Sequence, residues 1–415
     1  MTEAKTHTLD DGVAARTADA AWLAAALQSS RADTLATFAA VEASLPDLQV
    51  SRRPTLNPPL WELGHIGWFQ EYWIGRSPQR FAGIAADPGL VRGVGQRAQA
   101  DALYDSSQVA HERRWSLPLP SADETRQDLA AQLTGTLAWL READGRDNNS
   151  DTALYFFRLA LLHEDMHHEA ALYMAQSLGL PIDDRRWQTP RLPLDGGTLD
   201  FDAGPWRLGS GGATGFVFDN ELAGQRVELP ALQIDRRVLS WAEFLPFVDA
   251  GGYHEPHWWS ENGAAWRAAT QARAPRYLRC EEGAWQQWRH GTWCALDLQW
   301  PACHLSQHEA EAWCRWAGRR LPSEAEWERS ALERPGDFAW GQVWEWTASR
   351  FRPYPGFEPH PYRDYSAPWF DSREVLRGAS FMTQARMRHP RYRNFFAAER
   401  NDVPAGFRTC RQRTP

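Results

Sequence analysis

Residues 161–174 read LLHEDMHHEAALYM. On a helix, His163 and His167 lie one turn apart on one face, within reach of a shared ion. Glu164, Asp165 and Glu169 place carboxylates beside them. A third imidazole, His65, sits in PPLWELGHIGWFQEYW, residues 59–74, an otherwise apolar helical pattern. A lone histidine there is usually a hydrogen-bonded core residue, and an i,i+4 histidine pair is more often coincidence than a ligand pair. Two such helices facing each other are a different matter, because bundles build metal sites from inward side chains. His168 falls off the shared face and reads as a supporting or surface residue. Three neutral imidazoles suit zinc or ferrous iron. Three protein ligands leave coordination positions open, as a catalytic site requires. Spacing alone does not choose the metal.

The elements that position these residues divide the chain in two. Apolar periodicity predicts helices over about 17–45, 58–75, 122–144 and 152–178, a four-helix set. Ser150 or Asp151 caps the last, and Gly179 with Pro181 ends it. The connection over 77–120 is expected to run outside the bundle. Pro181, Pro190, Pro193 and Asp195-Gly196-Gly197 read as a linker. From about 198, short alternating pieces such as GTLDFDAG and VELPALQIDRRVLS read as strands. Two helices stand out there, 240–250 and 306–317, the second opened by a Ser306/Glu309 capping box. The 415 residues suffice for two domains, and 23 tryptophans point to aromatic packing of a loop-rich second half. A net charge of −8 argues against nucleic acid or an anionic membrane as partner. No apolar run long enough to span a bilayer occurs, and the first residues lack the core of a signal peptide, so the expectation is a cytoplasmic protein. Five cysteines without a CxxC read as reduced thiols.

The motifs resemble a known family. HEDMHHE fits HxxxHxE, and GHIGWF fits the upstream helix motif of the sulfoxide synthases of ergothioneine biosynthesis. The second half is similar to formylglycine-generating enzymes through HLSQHEAEAWCRWAGRRLPSEAEWERSA (304–331), GQVWEWTAS (341–349), VLRGASF (375–381) and AGFRTCR (405–411). The resemblance implies an α+β chain: a DinB-like four-helix bundle over 17–180, a linker over 181–197, and a formylglycine-generating-enzyme-like domain, a C-type-lectin variant, over 198–415. It implies iron(II) on His65, His163 and His167, O2 as co-substrate, and hercynine, the trimethylated betaine of histidine, as a substrate. The Trp and Gly of GQVWEWTAS and the Arg-Leu-Pro of GRRLPSEAEWE read as architectural.

Departures from the pattern bear on the second substrate. Where formylglycine-generating enzymes hold a copper-binding cysteine pair, this chain reads HPRYRNFF, with His389 and Asn394 at those places. Asn394 matches a residue expected on the hercynine carboxylate, and Arg400 one that faces the sulfur donor. Phe396 stands where mycobacterial-type synthases carry an aspartate for the donor's ammonium, and a phenyl ring cannot replace that ion pair. Met166 stands where they carry a glutamine. Phe395 and Phe396 are candidate walls for the trimethylammonium group. Tyr354, Tyr362 and Tyr365 are candidates for the family's proton-donating tyrosine, although Phe357 occupies one alignment's position for it. Arg113 and Arg114 read as a solvated pair or a contact to an anionic donor. The resemblance thus points to a selenoneine synthase, joining hercynine to a selenosugar. The alternatives are an ergothioneine-type synthase taking cysteine or γ-glutamylcysteine, a DinB-type thiol transferase using a divalent metal without oxygen, and a lectin-like binding module.

Overall fold

The computed structural model describes residues 7–145, 150–182, 184–193, 196–211, 215–222 and 224–412. Its helices in the first half are α1 (His7–Thr17), α2 (Ala20–Ser44), α3 (Pro59–Gln70), α4 (Ala100–Tyr104), α5 (Ala122–Gly145) and α6 (Asp151–Leu178). The helix expected over 17–45 is α2, and α1 is an additional helix that precedes it. The chain breaks at Ala18–Asp19, where the Asp19 side chain accepts from Trp22 N at 2.9 Å and restarts the helix. Gly12 of α1 lies so close to the 385–388 turn that a Cβ would fall 1.9 Å from the Arg388 carbonyl. Ser150 caps α6 through Ala153 N, and Gly179, at φ 72°, closes it in the left-handed conformation. The end of α3 passes into one π-helical turn, Glu71–Gly75.

A buried cation ties four helices together. Arg31 of α2 donates to Glu164 of α6 (2.7 and 3.1 Å), to Gln70 of α3 (2.9 Å) and to the Leu129 carbonyl of α5 (2.6 Å). Such a cluster adds little net stability over an apolar core but tolerates only one arrangement of its partners. The 77–120 connection does not simply skirt the bundle. Leu103, Tyr104 and Val109 are buried, and a Cβ on Gly64 would fall 2.4 Å from the Tyr104 ring. Glycine at 64 is what lets this segment lie against α3.

The second half contains β1 (Thr198–Phe201), β2 (Gly204–Leu208), β3 (Gln225–Leu229), β4 (Leu232–Asp235), α7 (Trp241–Asp249), α8 (Glu261–Thr270), β5 (Leu278–Glu281), β6 (Ala284–Arg289) and β7 (Thr292–Ala295). It continues with α9 (Gln307–Trp316), β8 (Arg319–Arg320), α10 (Glu324–Glu333), β9 (Trp344–Arg350), β10 (Glu374–Gly378), β11 (Asn394–Phe396), β12 (Ala405–Gly406) and β13 (Cys410–Arg411). Two four-stranded sheets, ordered β1-β4-β13-β8 and β11-β10-β9-β12, are joined by smaller two- and three-stranded sheets. Among the described residues four α-helices occur here rather than the two that stand out in the sequence. α10 follows Pro322, so it reads locally as a loop, yet its Ser323/Glu326 capping box is fully formed. Trp241, Trp327, Trp344 and Trp346 are fully buried.

The expected linker is packed rather than free: Ile182, Trp187 and Leu192 join a core with Leu63 and Leu172 of the bundle and Phe381 of the second half. Asp195, at its end, lies outside the described residues. Glu169 of α6 also crosses the boundary, accepting from Trp344 Nε1 (2.7 Å), Ser380 Oγ (2.7 Å) and Thr383 Oγ1 (3.0 Å). Asp165 does the same with Arg386, at 2.9 Å twice. Asp165 and Glu169, one turn apart, thus fix the face of α6 away from the histidine pair against the second half.

Candidate metal centre

α3 supplies His65 and α6 supplies His163 and His167. One nitrogen of each lies within 4.8 Å of the other two. His65 Nδ1–H donates to the Tyr104 carbonyl at 2.8 Å. His167 Nδ1–H donates to Glu62 Oε1 at 2.8 Å. Both bonds fix the tautomer and leave a lone pair on Nε2. The Nε2 atoms of His163 and His167 stand 3.1 Å apart. Two nitrogens about 2.1 Å from one ion at a right angle stand about 3.0 Å apart. Burial, with the neighbouring His167, holds His65 down at about 3 and His163 well below the ordinary histidine range. Converging neutral lone pairs are satisfied by a cation, so the donor set fits a divalent transition metal, iron(II) included.

Aromatic rings fix the imidazoles. Trp61 stacks on His65 at 4.8 Å, and Phe69 stacks on His163 at 3.5 Å with planes 5° apart. The Tyr362 ring stands edge-on to Phe69 at 4.9 Å and to His163 at 6.2 Å. Glu62 is buried and its second oxygen accepts from Asn57 Nδ2 at 2.9 Å. Burial alone would raise its carboxyl, but His167, His65 and Arg114 outweigh that and hold it below the usual value. Arg114 donates to Asn57 Oδ1 at 2.7 Å and lies 4.0 Å over the Trp61 ring. It belongs to the surroundings of the site, whereas Arg113 is exposed. Glu62 carries a signal that was readable in the sequence: it precedes His65 by three residues, on the same helical face.

The other sequence-nominated residues separate into groups. Met166 faces a tyrosine pair: Tyr392 and Tyr365 donate to its Sδ at 3.3 and 3.8 Å, and their hydroxyls are 3.0 Å apart. Phe395 joins this group edge-on to Tyr365 at 6.0 Å and stacks on Phe351 at 4.1 Å. Asn394 Oδ1 accepts from the Phe395 amide at 2.9 Å. Phe396 lies beneath the Arg400 guanidinium at 5.1 Å. Arg400 is locked onto Asp402 by two bonds of 2.6 and 2.9 Å. Tyr354 stands apart: its hydroxyl donates to Glu324 at 3.1 Å and Arg393 covers its ring at 4.1 Å. Phe357 packs on Phe370. His389 Nδ1 accepts from the Arg391 amide at 3.2 Å. His168 is buried rather than on the surface, bonded to Thr37 Oγ1 at 2.9 Å and packed against Trp187. Tyr392 had no sequence signal, because only folding brings it beside Tyr365.

Comparison with known proteins matches two family models to the chain. The DinB superfamily matches residues 26–171, and the sulfatase-modifying factor enzyme 1-like domain matches 189–342 and 337–413. The hercynine oxygenase of Mycolicibacterium smegmatis is 30% identical over 432 residues, covering 90% of this chain and 95% of that protein. This chain belongs to the hercynine oxygenase family. The Mycobacterium tuberculosis member is 30% identical over 406 residues, 86% of this chain and 91% of its own. The formylglycine-generating enzyme of Streptomyces coelicolor matches only 35% of this chain, at 30% identity, and half of that protein. Among solved structures, PvdO from Pseudomonas aeruginosa aligns with 52% of this chain and 94% of its own at 16% identity and a TM-score of 0.34. Membership of the hercynine oxygenase family makes the chain an oxidoreductase of DinB-plus-sulfatase-modifying-factor architecture. Among the described residues, no helix is long and apolar enough to cross a membrane.

Proposed function

We propose that this hercynine oxygenase family member is an iron(II)- and O2-dependent synthase that joins the imidazole C2 of hercynine to the selenium of a selenosugar. His65, His163 and His167 would hold the metal. A ferrous ion held there would supply redox chemistry with O2 and open coordination positions for the substrates. Replacing C–H and Se–H by C–Se removes two electrons. Oxidation of selenium to the oxide removes two more, and O2 accepts all four, one oxygen atom leaving as water.

The chain's own groups have separate tasks in this reading. Glu62 and the Tyr104 carbonyl hold the two Nδ1–H groups and so aim both Nε2 atoms at the metal position. Tyr365, whose phenol burial holds well above its ordinary range and therefore protonated, is the proton donor in this reading, its hydroxyl 3.8 Å from Met166 Sδ on the histidine helix. Asn394, Phe395 and Met166 form the hercynine side.

One observation carries the choice of donor. Arg400 is already neutralised by Asp402, and Phe396 beneath it offers no charge. An amino-acid thiol would bring an ammonium and a carboxylate to a wall with no free partner for either, which is costly. A neutral sugar brings neither. A sulfur donor is the second reading, favoured by the full-length relatives named hercynine oxygenases. The test is a donor panel. Iron-loaded enzyme receives hercynine, O2 and a selenosugar, its thiosugar analogue, cysteine or γ-glutamylcysteine, and mass spectrometry identifies the products. Preference for either amino-acid thiol would sink the selenosugar reading.

A further inference from the structure

A cleft of about 220 Å³ opens between the end of α3, the turn after α4 and the Pro361–Asp364 segment. Its walls include Phe69, Tyr72 and Tyr362, and Ser106 and Asp364 stand at its polar side. We infer that this cleft is the subsite for the sugar ring of the second substrate, a neutral monosaccharide. The inference rests on the donor reading proposed above and deepens it.

Three features of the lining point to this chemistry. First, it presents aromatic surface together with unspent polar groups. The Tyr72, Tyr362 and Ser106 hydroxyls and the Asp364 carboxylate make no hydrogen bond to any described residue. A flat apolar face with uncommitted donors and acceptors around it is what a polyhydroxylated ring needs. Second, two of the cleft's rings are closed to a cation, and Arg363 adds a positive charge to the lining beside Asp364. The Arg92 guanidinium already lies over Tyr72 at 4.5 Å and Trp73 at 5.1 Å, occupying the ring faces that would attract one. Asp105 is also committed, accepting from Ser107 N and Oγ at 3.0 and 2.6 Å and from Gln108 at 2.6 Å. Third, the cleft abuts the histidines. Tyr362 and Phe69 line it and also pack on His163, at 6.2 and 3.5 Å. A ring held in the cleft therefore ends beside the last aromatic layer before the site.

The test uses the full-length, iron-loaded enzyme and two lining variants, Ser106→Trp to fill the cleft and Asp364→Ala to remove an acceptor. Both positions are at least partly exposed, so a matching melting temperature checks folding. Anaerobic calorimetry with 1-thio-β-D-glucose reads binding, and steady-state assays read KM separately for thiosugar and hercynine. Loss of sugar binding in Ser106→Trp, and a weakening of about tenfold in Asp364→Ala, with KM for hercynine unchanged, is the expected result. Sugar turnover and binding untouched by both variants would overturn the cleft while leaving the donor reading intact. A rise confined to KM for hercynine would also overturn it, assigning the cleft to the cationic substrate. Wild-type enzyme that neither binds nor turns over the sugar overturns both, and is recognised before any variant is made.

Discussion

Two buried polar regions of this molecule look alike in composition and differ in what they leave over. In the second half, Arg408 spends every N–H it has. Nε and Nη2 donate to Glu345 at 2.5 and 2.8 Å, Nη1 to the carbonyls of Asp235 and Arg236 at 3.0 Å each, and Nη2 again to Ala339 at 2.6 Å. Trp327 completes Glu345 at 2.8 Å. Between α3 and α6, the outer nitrogens of His65 and His167 are equally well served, but the inner ones converge on one another. Satisfied burial is architecture; lone pairs aimed at a common point are what a metal ion binds. The same contrast separates Tyr354, tied to Glu324 beneath Arg393, from Tyr365, whose hydroxyl has only another tyrosine and a thioether for company.

That contrast can be broken experimentally. Replacing His163, His65 or His167 by alanine is expected to abolish stoichiometric iron binding and turnover while the protein stays folded. Metal analysis of the purified variants reads this, and retention of one iron per chain in all three would refute the assignment. Arg408→Ala should do the opposite. It strands the Glu345 carboxylate and should cost about 3–5 kcal/mol in urea unfolding, with iron stoichiometry of the folded fraction unchanged. A cost under about 1 kcal/mol would mean water or rearrangement relieves the pair. Glu62→Gln tests the middle ground, because Glu62 is buried like Glu345 yet serves a ligand. Loss of its charge should weaken iron binding about 10- to 100-fold, seen in competition with a chelator, with little change in melting temperature. Unchanged iron affinity would make Glu62 merely structural.

The smallest effect concerns pH. Burial holds His304 and His360, away from the site, down at about 4 from an ordinary 6.5. The unfolded chain takes up these protons first, so their contribution is complete above about pH 6.5 and declines as pH falls towards 4. His360→Asn should flatten that decline in urea melts between the two values. An identical slope in the variant would remove His360 from the account.

Much of the candidate site was legible because helical periodicity is local. His163 and His167 share a face by their spacing, and Ser150 and Gly179 mark the ends of α6 in the sequence itself. Helix α10 has the same length and the same capping-box signal as α9, Ser323 with Glu326, and the Pro322 just before it is what gives it the look of a loop. Helix α1 was not legible, since HTLDDGVAART has too few apolar residues for a helical period, whereas Asp19 caps α2 close to its expected start. His168 could not be assigned from spacing, because α6 is covered on nearly every side by the rest of the bundle and by the second half.

By itself, then, the sequence determined the helical spacing of the histidine pair, the change from helices to short strands near residue 198, and the motifs that place the chain in its family. These depend on neighbours within a few residues or on long stretches of similarity. Tertiary structure alone decided that His65 meets the pair, that the Tyr104 carbonyl and Glu62 set the tautomers, and that Glu169 bonds Trp344, Ser380 and Thr383 across the boundary. It also separated Tyr354 from Tyr365 and closed Arg400 onto Asp402. Those outcomes rest on which groups find partners once water is excluded. Residues distant in the chain supply most of the partners, and even for near neighbours it is burial that fixes the pairing.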